Sequence, residues 1–139
     1  MVNSPETELL VTLANVQNRI EKRLSGPLSA HGISLTDYLV LRQLYQAPQQ
    51  KLRRIDLAQR VGLSASGVTR LLNPMQKIGL VDKEDSARDA RVSLVSLSQA
   101  GARIYSEAQA SFDQAAQDLL SPLGERDRAA LMRMVLALS

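Results

Sequence analysis

Apolar positions along most of this chain recur at steps of three and four, the spacing that lines one face of an α-helix. Leu9, Leu13, Val16, Ile20 and Leu24 form the first such row. They predict a helix from about Pro5 to Leu28 with one buried stripe. Gly26-Pro27 loosens its end, and His31-Gly32 breaks the chain. Ser34 followed by Asp37 has the form of a capping box. It opens a second helix carrying Leu35, Tyr38, Leu39, Leu41 and Leu44, which stops before Pro48. A third, shorter helix spans about Arg54 to Val61, with Ile55, Ala58 and Val61 directed inward. Gly62 ends it, because glycine accepts the left-handed backbone of a helix stop. Ser64 then caps a fourth helix. Val68, Leu71, Leu72 and Met75 fall on its core side, and Ser66, Thr69, Arg70 and Asn73 on the other. Pro74 has no N–H for the Arg70 carbonyl and its ring crowds that turn, so a kink or local opening is expected there.

The period then changes. "GLVDKED" (79–85) and "RVSLVSL" (91–97) read as two strands joined by a turn through Ser86, Ala87, Arg88 and Asp89. Helical spacing returns after Ser98, a third capping residue, with Ile104, Tyr105, Ala108, Phe112, Ala115 and Leu119 on one stripe. Beyond Pro122 and Gly124 a sixth helix carries Leu131, Met134, Val135 and Leu138. The pattern predicts a mainly α, winged helix-turn-helix architecture: about six helices and a two-stranded wing in a single domain, 1–139. The apolar positions reach the penultimate residue. A chain end of that kind docks on something, either its own first helix or a second copy.

Composition narrows the class. With 139 residues, 45% of them apolar, the chain is long enough to bury its own core and lies within the globular range. It has no run of about 18 apolar residues, and "MVNSPETELL" lacks the basic start and apolar stretch of a signal peptide. No membrane partner is expected. Cysteine is absent, which excludes a disulfide framework and thiolate metal sites. A cytoplasmic protein fits best. The net charge is only +3, but nine basic and five acidic residues fall between Lys51 and Arg91, against eight and nine elsewhere. A positive band between near-neutral flanks suits a polyanion partner; a solvated surface gives the same balance.

Two helices joined by a tight glycine-containing turn make a helix-turn-helix. Small hydrogen-bonding side chains let the second helix sit deep in a major groove, and arginine bonds guanine with two prongs. Ser66, Thr69, Arg70 and Asn73 suit that task, although any exposed helix face carries such types. A hairpin directly after the unit is a wing. Arg88 at its tip is placed to enter the minor groove, where the negative potential is strongest. Arg91 stands at the strand base, and Asp85 and Asp89 are expected to hold the arginines. The alternative is a solvated, salt-bridged hairpin. Lys51, Arg53 and Arg54 are phosphate-contact candidates by charge and place. No catalytic residue, metal site or cofactor is predicted. One histidine, His31, without cysteine cannot build a His-rich zinc site, and no nucleophile–base pair or glycine-rich phosphate loop is visible. A winged-helix protein-interaction module without DNA binding is the competing class; Arg70 and Arg88 argue against it.

The run "GLVDKEDSARDARVSLVSLSQAG" (79–101) resembles the signature of the MarR family of bacterial transcription regulators. That signature is a Gly-Leu-Val strand start, an Asp-x-Arg-Asp-x-Arg wing and a Leu-Thr-x-x-Gly helix start. Here the wing residues are Asp85, Arg88, Asp89 and Arg91, with one extra residue before Arg88, and Ser98 replaces threonine in Leu97-Ser98-Gln99-Ala100-Gly101. "GISLTDYLVL" and "LAQRVGLSASGVTRLL" are also similar to the family pattern; Pro74 departs from it. The resemblance covers the whole chain. It implies a homodimer that binds double-stranded, near-palindromic operator DNA and acts as a repressor. Residues 34–97 would be the DNA-binding lobe, and 5–30 and 98–139 the dimerisation helices. Ser66, Thr69, Arg70 and Asn73 match the major-groove positions, Arg88 the minor-groove wing residue, and Arg91 a wing-bracing or phosphate-contacting one. Effectors of the family resemble small aromatic acids or phenols, bound between the dimer-forming helices and the DNA lobe. His31, Tyr38 and Arg42 are the candidates for that pocket.

Overall fold

The computed structural model describes residues 3–85 and 93–139. Six helices and a small three-stranded sheet make up this part of the chain.

Helix α1 runs Pro5–Ser29. The Ser4 hydroxyl accepts the Thr7 N–H at 3.1 Å, proline occupies the first turn, and Glu6 and Glu8 face the positive end of the helix dipole. Pro27 lies inside its last turn without ending it. Helix α2 (Leu35–Gln46) starts on the full capping box: Ser34 Oγ accepts the Asp37 N–H, and Asp37 accepts the Ser34 N–H, both at 3.0 Å. Strand β1 (Lys51–Arg53), helix α3 (Arg54–Arg60) and helix α4 (Ala65–Lys77) follow. Strands β2 (Val81–Asp85) and β3 (Ser93–Leu97) precede helices α5 (Gln99–Leu119) and α6 (Glu125–Leu138).

The sheet order is β1-β3-β2, both pairings antiparallel. Leu52 opposes Val95, and Val81 opposes Leu97. The third strand differs from the two-stranded wing expected from sequence. Three residues are too few to show a period, and their partner is more than forty positions away. The sheet closes one side of a core built from every helix except α6. Leu24, Leu28, Tyr38, Leu41, Leu44, Leu57, Val68, Leu72, Met75, Leu80, Val81, Val95, Tyr105 and Ala108 are all buried.

Several inward expectations need correction. On α1 only Leu24 and Leu28 are buried; Leu9, Leu13 and Val16 are exposed, because the first turns of this 25-residue helix, roughly 37 Å long, reach beyond the core. Ile55 is 67% exposed, and Leu57 takes its place inside α3. Leu39 is also exposed, while Val40 is buried. Helix α6 buries none of its residues, and its whole apolar row faces outward.

Candidate nucleic-acid interface

The turn between α3 and α4 is set by two local devices. Gly62 has φ +70°, and the Leu63 N–H reaches back to the Ala58 carbonyl at 2.9 Å, so the helix stops within one turn. Ser64 then accepts the Gly67 N–H at 3.1 Å and restarts the chain as α4. One face of α4 is fully engaged: Val68, Leu72 and Met75 are each buried. The opposite face carries Ser66, Arg70 and Asn73, all exposed, and Thr69, half-buried. The helix is continuous through Pro74, whose carbonyl accepts the Ile78 N–H at 3.1 Å.

The basic residues around this face are tied into the framework. Lys51 Nζ lies 2.8 Å from Glu84 Oε1, spanning β3 to join the two outer strands. That hydrogen bond holds the Glu84 carboxyl below the usual glutamate range, and the Ser96 hydroxyl adds to it. Arg53 grips Asp56 with two prongs, Nε to Oδ2 at 2.8 Å and Nη2 to Oδ1 at 3.1 Å, and its hydrogen bond keeps the Asp56 carboxyl low. Arg54 Nη2 donates to Thr69 Oγ1 at 2.8 Å. Arg88 and Arg91, and the turn that carries them, lie outside the described residues. The two strands that lead to that turn are paired up to Asp85 opposite Ser93.

Of the three pocket candidates, Tyr38 and Arg42 are brought together and His31 is not. Tyr38 is buried and stacks on Phe112, with ring centres 4.4 Å apart and planes within 7°. Tyr105 packs on it at 5.1 Å. Burial, reinforced by Tyr105, pushes the Tyr38 phenol well above the usual tyrosine value. Tyr38 and Arg42 line a cavity of about 280 Å³ with Tyr105, Gln109, Phe112 and Asp113. His31 is outside it: its Nε2 lies 3.0 Å from Ser111 Oγ, bridging the α1–α2 turn to α5. Sequence periodicity assigned Tyr105 and Phe112 to the core. Their second role as pocket walls depends on a crossing with α2 that no local pattern records.

A helix-turn-helix with an antiparallel wing, flanked by long helices at both ends, defines a winged-helix protein. A family model described as the MarR family matches residues 31–92. The HTH-type transcriptional regulator PrsX of Escherichia coli is 29% identical over 97 residues, 69% of this chain and 58% of that protein. The chain thus matches less than two thirds of the length of this curated relative. Two solved structures share the fold. Sco3205, a MarR family transcriptional regulator from Streptomyces coelicolor solved in complex with DNA, superposes with TM-score 0.90 at 18% identity, over 99% of this chain and 88% of that one. The organohalide-sensing regulator RdhR-CbdbA1625, in its 2,4-dichlorophenol-bound form, gives TM-score 0.89 at 18% identity, over 99% and 80%. Over residues 31–92 the chain is similar to the MarR family, and over its length it shares that family's winged-helix fold.

Proposed function

We propose that this chain is a sequence-specific, double-stranded DNA-binding transcription regulator, a homodimeric repressor released by a small ligand. The observation that carries the reading is the two-sided helix α4. Its inner face is buried by Val68, Leu72 and Met75, and its outer face presents Ser66, Arg70 and Asn73 beside a wing. In this reading residues 34–97 bind DNA in the cytoplasm, with Ser66, Thr69, Arg70 and Asn73 in the major groove. Arg88 enters the minor groove and Arg91 braces the wing or meets a phosphate. Arg53 and Arg54 border the groove-reading face, their pairings with Asp56 and Thr69 setting their reach. The relatives' names as transcriptional regulators, and a fold neighbour solved with DNA, support this over catalysis.

Residues 5–30 and 98–139 supply the dimerisation helices. Leu9, Val16, Met134, Val135 and Leu138 are exposed in the single chain, and large apolar side chains left open on terminal helices suit burial against a partner. The ligand is a small aromatic acid or phenol held near Tyr38 and Arg42, with His31 on the adjoining turn. The 2,4-dichlorophenol-bound neighbour supports that chemistry. Among the described residues no helix is long and apolar enough to cross a membrane, and none of their acidic and histidine side chains cluster as a metal site.

The test is selection of bound duplexes from a random pool, followed by titration of the winner at increasing salt. Enrichment of an inverted repeat, with affinity falling as salt rises, is expected. Failure to enrich any sequence contradicts the proposal.

A further inference from the structure

We infer that Thr69 reads its operator through its methyl group, selecting thymine, while Arg54 and the α4 backbone occupy its hydroxyl. The inference rests on the proposal that α4 enters the major groove.

A threonine hydroxyl has one proton to donate and two lone pairs to accept with. The Thr69 hydroxyl donates its proton to the Ala65 carbonyl, one turn back on its own helix, at 3.0 Å. It also accepts from Arg54 Nη2 at 2.8 Å. The oxygen is therefore enclosed between the backbone of α4 and the guanidinium on α3. The methyl is the other heavy substituent of the same carbon, and it is what this half-buried side chain has left to offer an approaching surface. In the major groove the apolar counterpart of a threonine methyl is the thymine methyl. A hydroxyl without a proton to give cannot satisfy the acceptors of guanine, adenine or thymine, and its one remaining lone pair could meet only an amino group of adenine or cytosine; the methyl is what a thymine can meet.

Arg54 makes the arrangement rigid. It opens α3, and its Nη2 reaches across the turn to α4. Its Nε is buried with no hydrogen-bond partner among the described residues, so the guanidinium is fixed through Thr69 and not through its own helix. Threonine rotamers in helices divide between wells that differ in where the oxygen points. The charged donor on α3 selects the well that engages the hydroxyl.

The test alters the DNA first, so it does not depend on any variant folding. A duplex selected by the wild-type chain is remade with each thymine in turn replaced by deoxyuridine, which removes only the base methyl. One thymine in each half-site should weaken binding about fourfold when replaced, the worth of one buried methyl group. Thr69→Ser keeps both hydrogen bonds and loses the methyl; it should bind the thymine and deoxyuridine duplexes equally at that position. Thr69→Val keeps the methyl and should retain the preference. A duplex bound tightly by the wild type, with no thymine whose replacement matters more to it than to Thr69→Ser, overturns the inference and leaves the DNA-binding proposal standing. A chain that selects no duplex at all overturns both.

Discussion

The first turn of α5 lies directly on the residue that leads into β2: a β-carbon placed on Gly101 would stand 2.2 Å from the Leu80 carbonyl oxygen. The same junction is stitched by Ser98. Its N–H donates to the Leu80 carbonyl at 3.1 Å, and its hydroxyl lies 2.6 Å from the Gly79 carbonyl oxygen. The clash involves backbone, which cannot swing aside. Gly101→Ala should therefore destabilise the chain by about 3 kcal/mol, the upper part of the range for overpacking. Urea denaturation of the two proteins measures it. Ala100→Gly, one residue away on the same turn, serves as the control and should lose only about 1 kcal/mol.

That contact shows what kind of information the sequence carries. Ser34 with Asp37, Gly62, Ser64 and Ser98 are all legible because a cap or stop is made by residues three or four positions apart. The helix order and the two wing strands follow from period. Strand β1 was hidden because its pairing with β3 is remote and its three residues have no pattern of their own. The outward turn of Ile55 and of the α1 row was hidden for another reason. Periodicity says which residues share a face, not whether another element covers it. On the outer face of α4, Ser66, Arg70 and Asn73 are exposed as their spacing predicts. The engagement of the Thr69 hydroxyl by Arg54 needs the α3–α4 crossing and could not be read from either helix alone.

The bond between Lys51 and Glu84 gives the wing a pH dependence. The Glu84 carboxyl is held below its ordinary range chiefly by that hydrogen bond. A depressed carboxyl stabilises the folded state above the unfolded value, about 4.3 for glutamate, and that contribution disappears as pH falls through the folded value. Lys51→Met should lower the melting temperature slightly at neutral pH, and the difference from wild type should shrink on acidification. A difference that stays constant down to about pH 3, well below the glutamate range, would show that Lys51 acts through its aliphatic stem alone.

Because α6 buries none of its residues within one chain, its apolar face can be changed without disturbing the core. Val135→Glu should leave the circular dichroism of the lobe intact and convert the dimer to a monomer. Sedimentation at micromolar concentration distinguishes the two states. The monomer should also lose most of its affinity for a duplex with two half-sites, since each half-site then binds alone. A wild-type chain that sediments as a well-folded monomer contradicts the dimer outright.

Ligand release should be reversible and independent of thiol oxidation, because the chain has no cysteine. Arg42 lines the cavity beside Tyr38 and Phe112, where a carboxylate can pair with the guanidinium while a ring meets the aromatic wall. Arg42→Ala should weaken binding of an aromatic acid such as benzoate about tenfold, in line with the loss of one charge-assisted hydrogen bond. His31→Ala should change it little, since His31 faces Ser111 outside the cavity. Calorimetric titration of the three proteins decides, and linkage requires that the ligand and DNA weaken one another by the same factor.

The most direct measurement is the affinity of the purified chain for its own selected duplex, across a salt series, beside Arg70→Ala and Arg88→Ala. The wild type should enrich two inverted half-sites about one helical turn apart. Its affinity should fall steeply with salt, and less steeply for Arg88→Ala if that residue supplies the proposed minor-groove cation. Arg70→Ala should lose about 1–3 kcal/mol and relax the base preference at one position in each half-site. Binding that is indifferent to duplex sequence in the wild type, or unchanged in sequence preference by Arg70→Ala, would contradict the assignment of α4 as the helix that reads DNA.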